Sequence, residues 1–521
     1  MKRCVISIPA LSLTLILFSI FQQSSAIHAN VNAATAVTGP MKPYGQMRSG
    51  SGSGSGSGSA SSGLEIDLTK RLLPSRTNIS TNININIRGG AIAGTGKRAG
   101  INKSDNGNAS LATSVFNLAN NVAGAGLLTL SAGKAAGGSG WIPSIAICGS
   151  LAYASAFTFI LIGKACEITG EKSFKGLWSQ AFGEGTAYLV DSIVFLQCFI
   201  SSTIYIGLLG DIFSALLQGS ALAANQPLLA SRTGVILLVA ASILFPLNLI
   251  KDLSALAFTS ILGLCAIMYT VAFMVYRALD GSYSTVGRFV VDGLITPPSF
   301  DSSTAWNFDL RSLVLVSNLG LAFIAHYNAP TYYRELKKES SETFSKMTRS
   351  AYLILASIYV ITMCAGYATF GDTARGNILL NYHPKDMLAL FGRLATGLSV
   401  IFGFPLVSNG AREGLKNAAM ALGHPSVSDP KNHVKLVLSV LCMASVLAIL
   451  VDDIKIIAGF SGAAMGSFLV YICPPIIYSR ILLNYFGKDS LEFQRGRRTL
   501  AFVPFGVFIA IMGVTMTYKS M

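Results

Sequence analysis

The sequence predicts an all-α membrane protein with eleven transmembrane helices. Hydrophobic residues make up 51% of the chain and charged residues only 12%, which is about half the charged fraction of an ordinary soluble protein. From residue 111 onward, apolar runs of roughly 20 residues recur, each long enough to cross about 30 Å of hydrocarbon at about 1.5 Å per residue. A soluble core needs no such series of long helices without internal charge.

The eleven predicted spans follow one another closely along the chain. Prolines fall inside several of these runs, and helix bundles tolerate them because neighbouring helices bond the freed carbonyl groups. Among them are Pro246, Pro405, Pro474 and Pro475. The spans cover residues 111–133, 141–163, 186–214, 232–250, 255–277, 312–333, 350–371, 387–411, 434–451, 456–482 and 500–518.

Ahead of the spans, the first 105 residues differ in composition. Residues 1–26 are predicted to be a signal-like leader, because two basic residues precede an apolar core and a small-residue cleavage site. A signal anchor or an extra span is the alternative. Residues 27–105, rich in Ser, Gly and Asn, cannot bury enough apolar surface to fold and are predicted to be disordered. This tail also resembles a transit peptide, and residues 106–521 form the predicted transmembrane domain.

The net charge of +15 indicates a membrane topology and not a nucleic acid partner. Connections on one side of the predicted spans hold about twice as many Lys and Arg residues as those on the other side, which places residue 110 in the cytosol. A cleaved signal would instead deliver the tail to the lumen. Import into an organelle or an uncleaved leader would resolve this conflict. We expect an endomembrane, vacuolar or plasma membrane location, and the leader also allows a plastid envelope.

Cysteine and histidine usage argues against metal and redox chemistry. Eight cysteines are present, most of them inside apolar runs, and no two form a Cys-x-x-Cys pair. They predict neither a disulfide framework nor a metal site, and no cofactor is expected. A membrane-embedded enzyme would need a metal or nucleophile constellation, but the sequence has no His-Glu-x-x-His motif and only five histidines. We therefore do not expect an enzyme.

The first predicted span is interrupted by polar and flexible residues. It carries Asn117, Asn120 and Asn121, followed by Gly124 and Gly126. The amides are costly against lipid, and each glycine weakens a helix by roughly 1 kcal/mol relative to Ala. A helix that breaks at mid-depth frees backbone groups, which are tolerated only where protein or a wet cavity meets them. This span is a candidate binding site, and a tightly packed small-residue helix interface is the alternative.

The sixth predicted span is interrupted in the same way. Its second half contains His326, Tyr327, Asn328 and Pro330. Two interrupted spans five apart match a 5+5 inverted repeat with one extra helix, in which half-helix ends face each other near mid-membrane. The amide end of a broken helix suits a carboxylate, whereas freed carbonyls suit an ammonium or another cation.

Six segments together resemble the amino acid/auxin permease family of secondary amino acid transporters, which includes sodium-coupled neutral and vacuolar amino acid transporters. The likeness covers about residues 110 to 520 in order and implies the eleven-span form of the fold first seen in bacterial leucine transporters. The segments are SVFNLANNVAGAGLLTL at the first break, PLNLIKDLSALAFTSILGL (246–264), AFIAH…PTYYREL (322–336), GYATFGDTARGNILLNY (366–382), GRLATGLSVIFGFPL (392–406) and GFSGAAMGSFLVYICPPIIY (459–478).

The resemblance implies two sets of site residues. The substrate would contact the first and sixth spans, and a coupling ion would lie beside the first, sixth and eighth. The substrate set is Asn120, Asn121, Val122, Gly124, Ala125, Gly126, His326, Tyr327 and Asn328. The ion set is Asn117, Ser399 and His326.

The eighth span bears on the choice of ion. Sodium-coupled members of the family supply a hydroxyl there near a proline, but apolar residues and a glycine directly precede Pro405, leaving only Ser399 nearby. This departure favours a proton over sodium, and an imidazole such as that of His326 titrates near neutral pH. The alternative for His326 is a neutral ring hydrogen-bonded between helices.

Four further charged residues have a functional and a structural interpretation. Asp191 and Asp211, in the third span, are either proton relays or solvated interfacial groups. We expect Arg393 to extend to the membrane surface or to pair with a loop acid, and Glu335 to cap or pair at the inner face.

These observations predict a monomeric, proton-coupled amino acid transporter that works by alternating access in a lipid bilayer. A transporter-like amino acid sensor is the alternative, because the long tail offers a route for signalling.

Overall fold

The computed structural model describes residues 109–217, 224–250, 257–291, 293, 295–337, 339–451 and 453–519. The predicted leader and tail lie outside this range. The regular secondary structure of the described residues is helical, and two isolated β-bridges lie in the connections. Within the described residues, ten helical segments are long and apolar enough to cross a membrane, and several of these segments join two or more of the helices given below. The first predicted span consists of two shorter helices. The prediction of an all-α, multi-pass membrane protein is confirmed.

The helices occur in the predicted order. Helices α1 and α2 form the first span, α9 and α10 the sixth, and a four-residue helix, Pro227–Ala230, precedes α6. The helices are α1 (Leu111–Val122), α2 (Leu130–Gly137), α3 (Trp141–Thr169), α4 (Phe174–Phe182), α5 (Ala187–Leu217), α6 (Arg232–Val239), α7 (Phe245–Leu249), α8 (Ala257–Leu279), α9 (Leu313–Ala322), α10 (Ala329–Glu335), α11 (Ser341–Phe370), α12 (Met387–Ala421), α13 (His433–Leu450), α14 (Ile454–Ser461), α15 (Cys473–Phe486), α16 (Leu491–Gly496) and α17 (Phe502–Lys519).

Several helices extend beyond the apolar runs that predicted them. Helix α11 begins at Ser341, well before residue 350, because the Ser340 hydroxyl accepts the Thr343 amide at 3.2 Å and caps a polar first turn. Helix α12 likewise continues to Ala421 instead of ending at residue 411. An apolar run covers only the part of a helix that lies inside the hydrocarbon. It therefore does not predict the polar turns at either end of the helix.

The prolines inside the spans have two different effects. π-Helical segments, Ala240–Leu244 and Gly462–Ile472, directly precede Pro246 and the Pro474–Pro475 pair. A proline has no amide hydrogen and clashes with the preceding turn, so the helix widens there. Pro405 lies inside the continuous helix α12.

Glycines bring the sixth and tenth spans into backbone contact. A Cβ atom built on Gly320 would lie 2.8 Å from the Gly462 carbonyl oxygen, and one built on Gly466 would lie 2.8 Å from the Gly320 carbonyl oxygen. Small residues permit such close approach of membrane helices. The contact fixes α9, the first half of the sixth span, against the π-helical part of the tenth.

Both aspartates of the third span are buried, so the prediction of solvated positions is wrong. Asp191 is 5% exposed and lies 3.2 Å from the Lys175 ammonium, while Asp211 is 7% exposed and lies 2.7 Å from Arg232 Nε. Each carboxylate is covered by a neighbouring segment that supplies the basic partner. These pairs connect the two ends of α5 to the neighbouring helices α4 and α6.

Arg393 is also buried, so it does not reach the surface, and it forms no ion pair with an acidic residue among those described. Its Nη2 lies 3.0 Å from the Leu379 carbonyl and 2.6 Å from the Tyr382 carbonyl. The connection after α11 folds back over the start of α12 and supplies these acceptors. The same connection contains Asp386, whose two oxygens bind Arg277 of α8 at 2.7 and 2.8 Å. The fifth, seventh and eighth spans are thus joined at one end.

Candidate functional site

The first span is broken between Val122 and Ala125–Thr129. Helix α1 ends at Val122, and the Ala123 amide still bonds to the Ala119 carbonyl at 2.8 Å. Gly124 then leaves the helical region (φ −93°, ψ −141°), and a 3₁₀ turn runs from Ala125 to Thr129 into α2. A helical segment that starts anew leaves its first amides without an acceptor of its own. The carbonyl end of α1 and the amide end of this turn therefore face the same region.

The sixth span is broken in the same manner. Helix α9 ends at Ala322, Ala325 is non-helical (φ −149°, ψ 6°), and a 3₁₀ turn at His326–Asn328 leads into α10. The prediction that both spans are interrupted is confirmed.

The two breaks are in direct contact. A Cβ atom on Gly126 would lie 2.7 Å from the Ala322 Cα atom, so only glycine permits this approach. The Tyr359 hydroxyl of α11 lies 2.8 Å from the Val122 carbonyl oxygen and 2.7 Å from the Ala322 carbonyl oxygen. The C-terminal ends of α1 and α9, which carry the negative ends of their helix dipoles, therefore meet at one hydroxyl group.

Two small cavities adjoin this contact. The central hollow, of about 40 Å³, lies between the first, third, sixth and eighth spans. The side hollow, of about 20 Å³, lies between the first, third, fifth and eighth. The central hollow is lined by Asn121, Val122, Gly124, Gly126, Ser201, Ile204, Tyr205, Leu321, Ile324, Tyr327 and Val407. The side hollow is lined by Asn120, Asn121, Ala123, Gly124, Leu127, Leu128, Tyr205, Ile267, Thr270, Thr396, Ser399, Val400, Gly403 and Leu406.

Tyr205 separates the two hollows. It lines both of them, and a Cβ atom on Gly124 would overlap its hydroxyl and lie 3.3 Å from its ring carbon Cζ. Because Gly124 has no side chain, the Tyr205 phenol has room to lie across the break in the first span. Both hollows have room for only a few water molecules, so neither is large enough for an amino acid in this structure.

The central hollow has an uncharged lining. Among the described residues that line it, none has a charged side chain, and Ile204, Leu321 and Val407 are buried and apolar. The electrostatic features of this hollow are therefore the dipoles of the helix ends, which suit a group carrying both a positive and a negative charge.

The side hollow collects neutral oxygens. A Cβ atom on Gly263 would lie 2.6 Å from Asn120 Oδ1 and 3.2 Å from Ser399 Oγ, so both oxygens converge there. Asn120 Oδ1 is buried and has no hydrogen-bond donor among the described residues. The Thr270 and Thr396 hydroxyls lie 2.9 Å apart along the same wall. Oxygen donors of this kind suit a hard cation.

The structure brings together most of the predicted site residues. Ala125 begins the 3₁₀ turn, whereas Asn117, His326 and Asn328 are absent from the described linings of both hollows. The predicted residues that line a hollow are Asn120, Asn121, Val122, Gly124, Gly126, Tyr327 and Ser399. Gly126 has no side chain, and a Cβ atom built on it would lie against Ala322.

His326 lies between the second and sixth spans. It is fully buried, and its Nε2 atom is 3.1 Å from both the Ser155 carbonyl oxygen and the Thr158 hydroxyl. The Phe159 ring packs edge-on against the imidazole. This geometry matches the interpretation of a ring hydrogen-bonded between helices.

Sequence reasoning missed Tyr205, Tyr359, Thr270 and Thr396. Each is an ordinary polar residue within an apolar run, and nothing in the local sequence distinguishes it. The glycines of the first break were the available signal, because they indicate that other groups approach closely, but they do not identify those groups.

A helical membrane protein with two interrupted spans beside a small hollow has features in common with secondary transporters that bind substrate at half-helix ends. The family model "Transmembrane amino acid transporter protein" matches residues 107–519, and the chain belongs to this family. It is an integral, multi-pass membrane protein of a transporter family and not an enzyme.

The curated relatives are distant and extend over most of the chain. The "Putative sodium-coupled neutral amino acid transporter 11" of Bos taurus is 23% identical over 78% of this chain and 82% of its own length. The "Sodium-coupled neutral amino acid symporter 2" of Danio rerio is 24% identical over 74% and 77%. The "Vacuolar amino acid transporter 5" of Schizosaccharomyces pombe is 25% identical over 71% and 84%.

The Gly124–Tyr205 contact generates a rescue experiment. We expect Gly124→Ala to lower amino acid uptake by about tenfold or more, because overpacking a closed site costs on the order of 1–3 kcal/mol. Adding Tyr205→Phe removes the overlapping oxygen and is expected to restore part of the uptake. Gly149→Ala in α3 is the matched control, since this glycine lies outside both described linings and a Cβ there would meet no atom within 4 Å.

Uptake is measured in proteoliposomes with equal amounts of each variant. Normal uptake by Gly124→Ala, or a double variant no better than the single one, would contradict this account of the contact.

Proposed function

We propose that the protein is a secondary active transporter that carries an amino acid across the membrane by alternating access. The observation that carries the proposal is the meeting of the two breaks beside the central hollow. The carbonyl ends of α1 and α9 would attract the substrate ammonium, and the amides that begin the 3₁₀ turn at Ala125 would bind its carboxylate. No ionised side chain is needed to bind such a zwitterion.

The lining of the central hollow favours a neutral amino acid. An ionised substrate side chain would lose its hydration against Ile204, Leu321 and Val407 without gaining a charged partner among the described residues. The names of the mammalian and fish relatives, which refer to neutral amino acids, agree with this interpretation. The vacuolar relative fits an endomembrane location for the chain.

Closures at both ends of the bundle support alternating access. At one end, a parallel bridge joins the first and sixth spans: the Ala109 amide donates to the Glu335 carbonyl at 3.0 Å, and the Lys337 amide donates to the Ala109 carbonyl at 3.1 Å. At the other end, the Asp372 amide donates to the Ser299 carbonyl at 2.7 Å. Each closure consists of a few hydrogen bonds, which can break in turn while the bundle stays folded.

For the coupling ion, the structure favours sodium as a co-transported substrate. The Asn120 and Ser399 oxygens converge at the side hollow, and the names of two relatives refer to sodium coupling. Proton coupling, which the sequence alone favoured, is the second candidate. It depends on His326, which lies away from both hollows and is hydrogen-bonded to the second span.

The direct test is uptake by the full chain in proteoliposomes. A panel of radiolabelled L-amino acids is offered under an inward sodium gradient, an inward proton gradient, or neither. We expect a neutral amino acid to accumulate under the sodium gradient and to stop accumulating when choline replaces sodium. Accumulation driven only by the proton gradient would support the proposal of a transporter but would exclude sodium as the coupling ion. Binding without flux would favour the sensor, and neither binding nor flux would overturn the proposal.

Substitutions of two asparagines in α1 distinguish the loss of an ion ligand from a general loss of polarity in the helix. We expect Asn120→Ala to raise the sodium concentration for half-maximal uptake by about tenfold, the loss expected for one ligand to a charged group. Asn117→Ala, one turn earlier and outside both described linings, is the matched control and should leave this concentration unchanged. Equal effects of the two substitutions, measured in sodium titrations of uptake, would contradict the location of the ion.

A further inference from the structure

One face of α11 lies against both breaks. Tyr352 and Tyr359 are seven residues apart and therefore share that face. The Tyr359 hydroxyl lies 2.8 Å from the Val122 carbonyl oxygen and 2.7 Å from the Ala322 carbonyl oxygen, whereas the Tyr352 hydroxyl lies 3.2 Å from the single Phe323 carbonyl. Both tyrosines are buried. The carbonyls they meet are those freed where α1 and α9 end.

These carbonyls have few other donors. The Val122 carbonyl also accepts the Gly124 amide at 2.7 Å, but the Ala322 carbonyl has no second donor among the described residues. A buried carbonyl without a donor loses the free energy of its hydration, and at mid-membrane no bulk water replaces it. The Tyr359 proton is therefore the group that satisfies the end of α9.

The shared hydroxyl also lies between two like dipole ends. Helices α1 and α9 both end here, so two partial negative charges face each other across a short distance. One phenol proton placed between them offsets this repulsion for both helices at once. Gly126 packs directly against the Ala322 backbone. A shift of the carbonyl in one break therefore displaces the other break as well.

We propose that Tyr359 is a positioning residue that holds the two broken spans in register and, through them, sets the shape of the central hollow. The Phe323 ring, whose centroid is 5.0 Å from that of Tyr359 and 6.0 Å from that of Tyr352, fixes the orientation of both phenols. The consequence for transport rests on the function proposed above. The effect on the backbone of the two breaks does not depend on it.

The first test is amide hydrogen exchange of the full chain in lipid nanodiscs. We expect Tyr359→Phe to speed exchange about tenfold in residues 119–128 and also in 319–328, the change expected when one buried hydrogen bond is lost. Tyr352→Phe is the matched control and should affect only the second segment, because its hydroxyl meets only Phe323. Unchanged exchange in the first segment of Tyr359→Phe would overturn the proposal, whether or not the protein transports anything.

The unsubstituted chain provides a check that needs no variant. Because one hydroxyl holds both breaks, the two segments should open together and exchange at a common rate. Independent opening rates would overturn the proposal even if Tyr359→Phe did not yield folded protein.

The second test measures transport kinetics with the amino acid that gives the highest uptake in the panel above. We expect Tyr359→Phe to raise the KM about tenfold with a smaller change in maximal rate, because a misaligned cradle weakens binding. Tyr352→Phe should change the KM less than threefold. An unchanged KM for Tyr359→Phe, in a preparation with normal thermal unfolding, would contradict the role in shaping the hollow. Failure of the wild-type chain to transport would count against the proposed function and leave the exchange result to decide on Tyr359.

Discussion

The structure depends on one constraint: backbone groups freed inside a membrane must find partners within the protein. The first span breaks after Val122 and the sixth after Ala322, and each break exposes carbonyls that a continuous helix would have bonded. Tyr359 supplies a donor to both carbonyls. Helix α11 thus offsets the free-energy cost of the two breaks, and its tyrosine holds the two interrupted spans together.

Close packing around this unit determines where a ligand has space. Gly126 allows the first span to touch the backbone of the sixth, and Gly124 allows Tyr205 to lie across the first break. The remaining free volume is divided between the central hollow and the side hollow. The central hollow is bordered by helix ends with opposite partial charges, and the side hollow is bordered by neutral oxygens. A zwitterion and a small cation are the two species that these environments suit.

Much of the fold could be predicted from sequence, because the helical, multi-pass character and the order of the spans follow from apolar length alone. The breaks were also predictable, since asparagines, glycines and a proline clustered within an apolar run weaken a continuous helix at that point. The residues that complete the site were not. Asn117, Asn120 and Asn121 look alike in sequence, yet only the last two line a hollow. His326 was expected at the site but bonds to the second span. Tyr205 and Tyr359 acquire their roles only when distant spans pack together.

The central claim is that the substrate lies between the two breaks. Cryo-electron microscopy of the reconstituted protein, with its transported amino acid and saturating sodium, tests this claim directly. We predict ligand density between residues 122–126 and 321–327, in a widened central hollow bordered by Tyr205. Density elsewhere in the bundle, or continuous helices through both segments, would contradict the account.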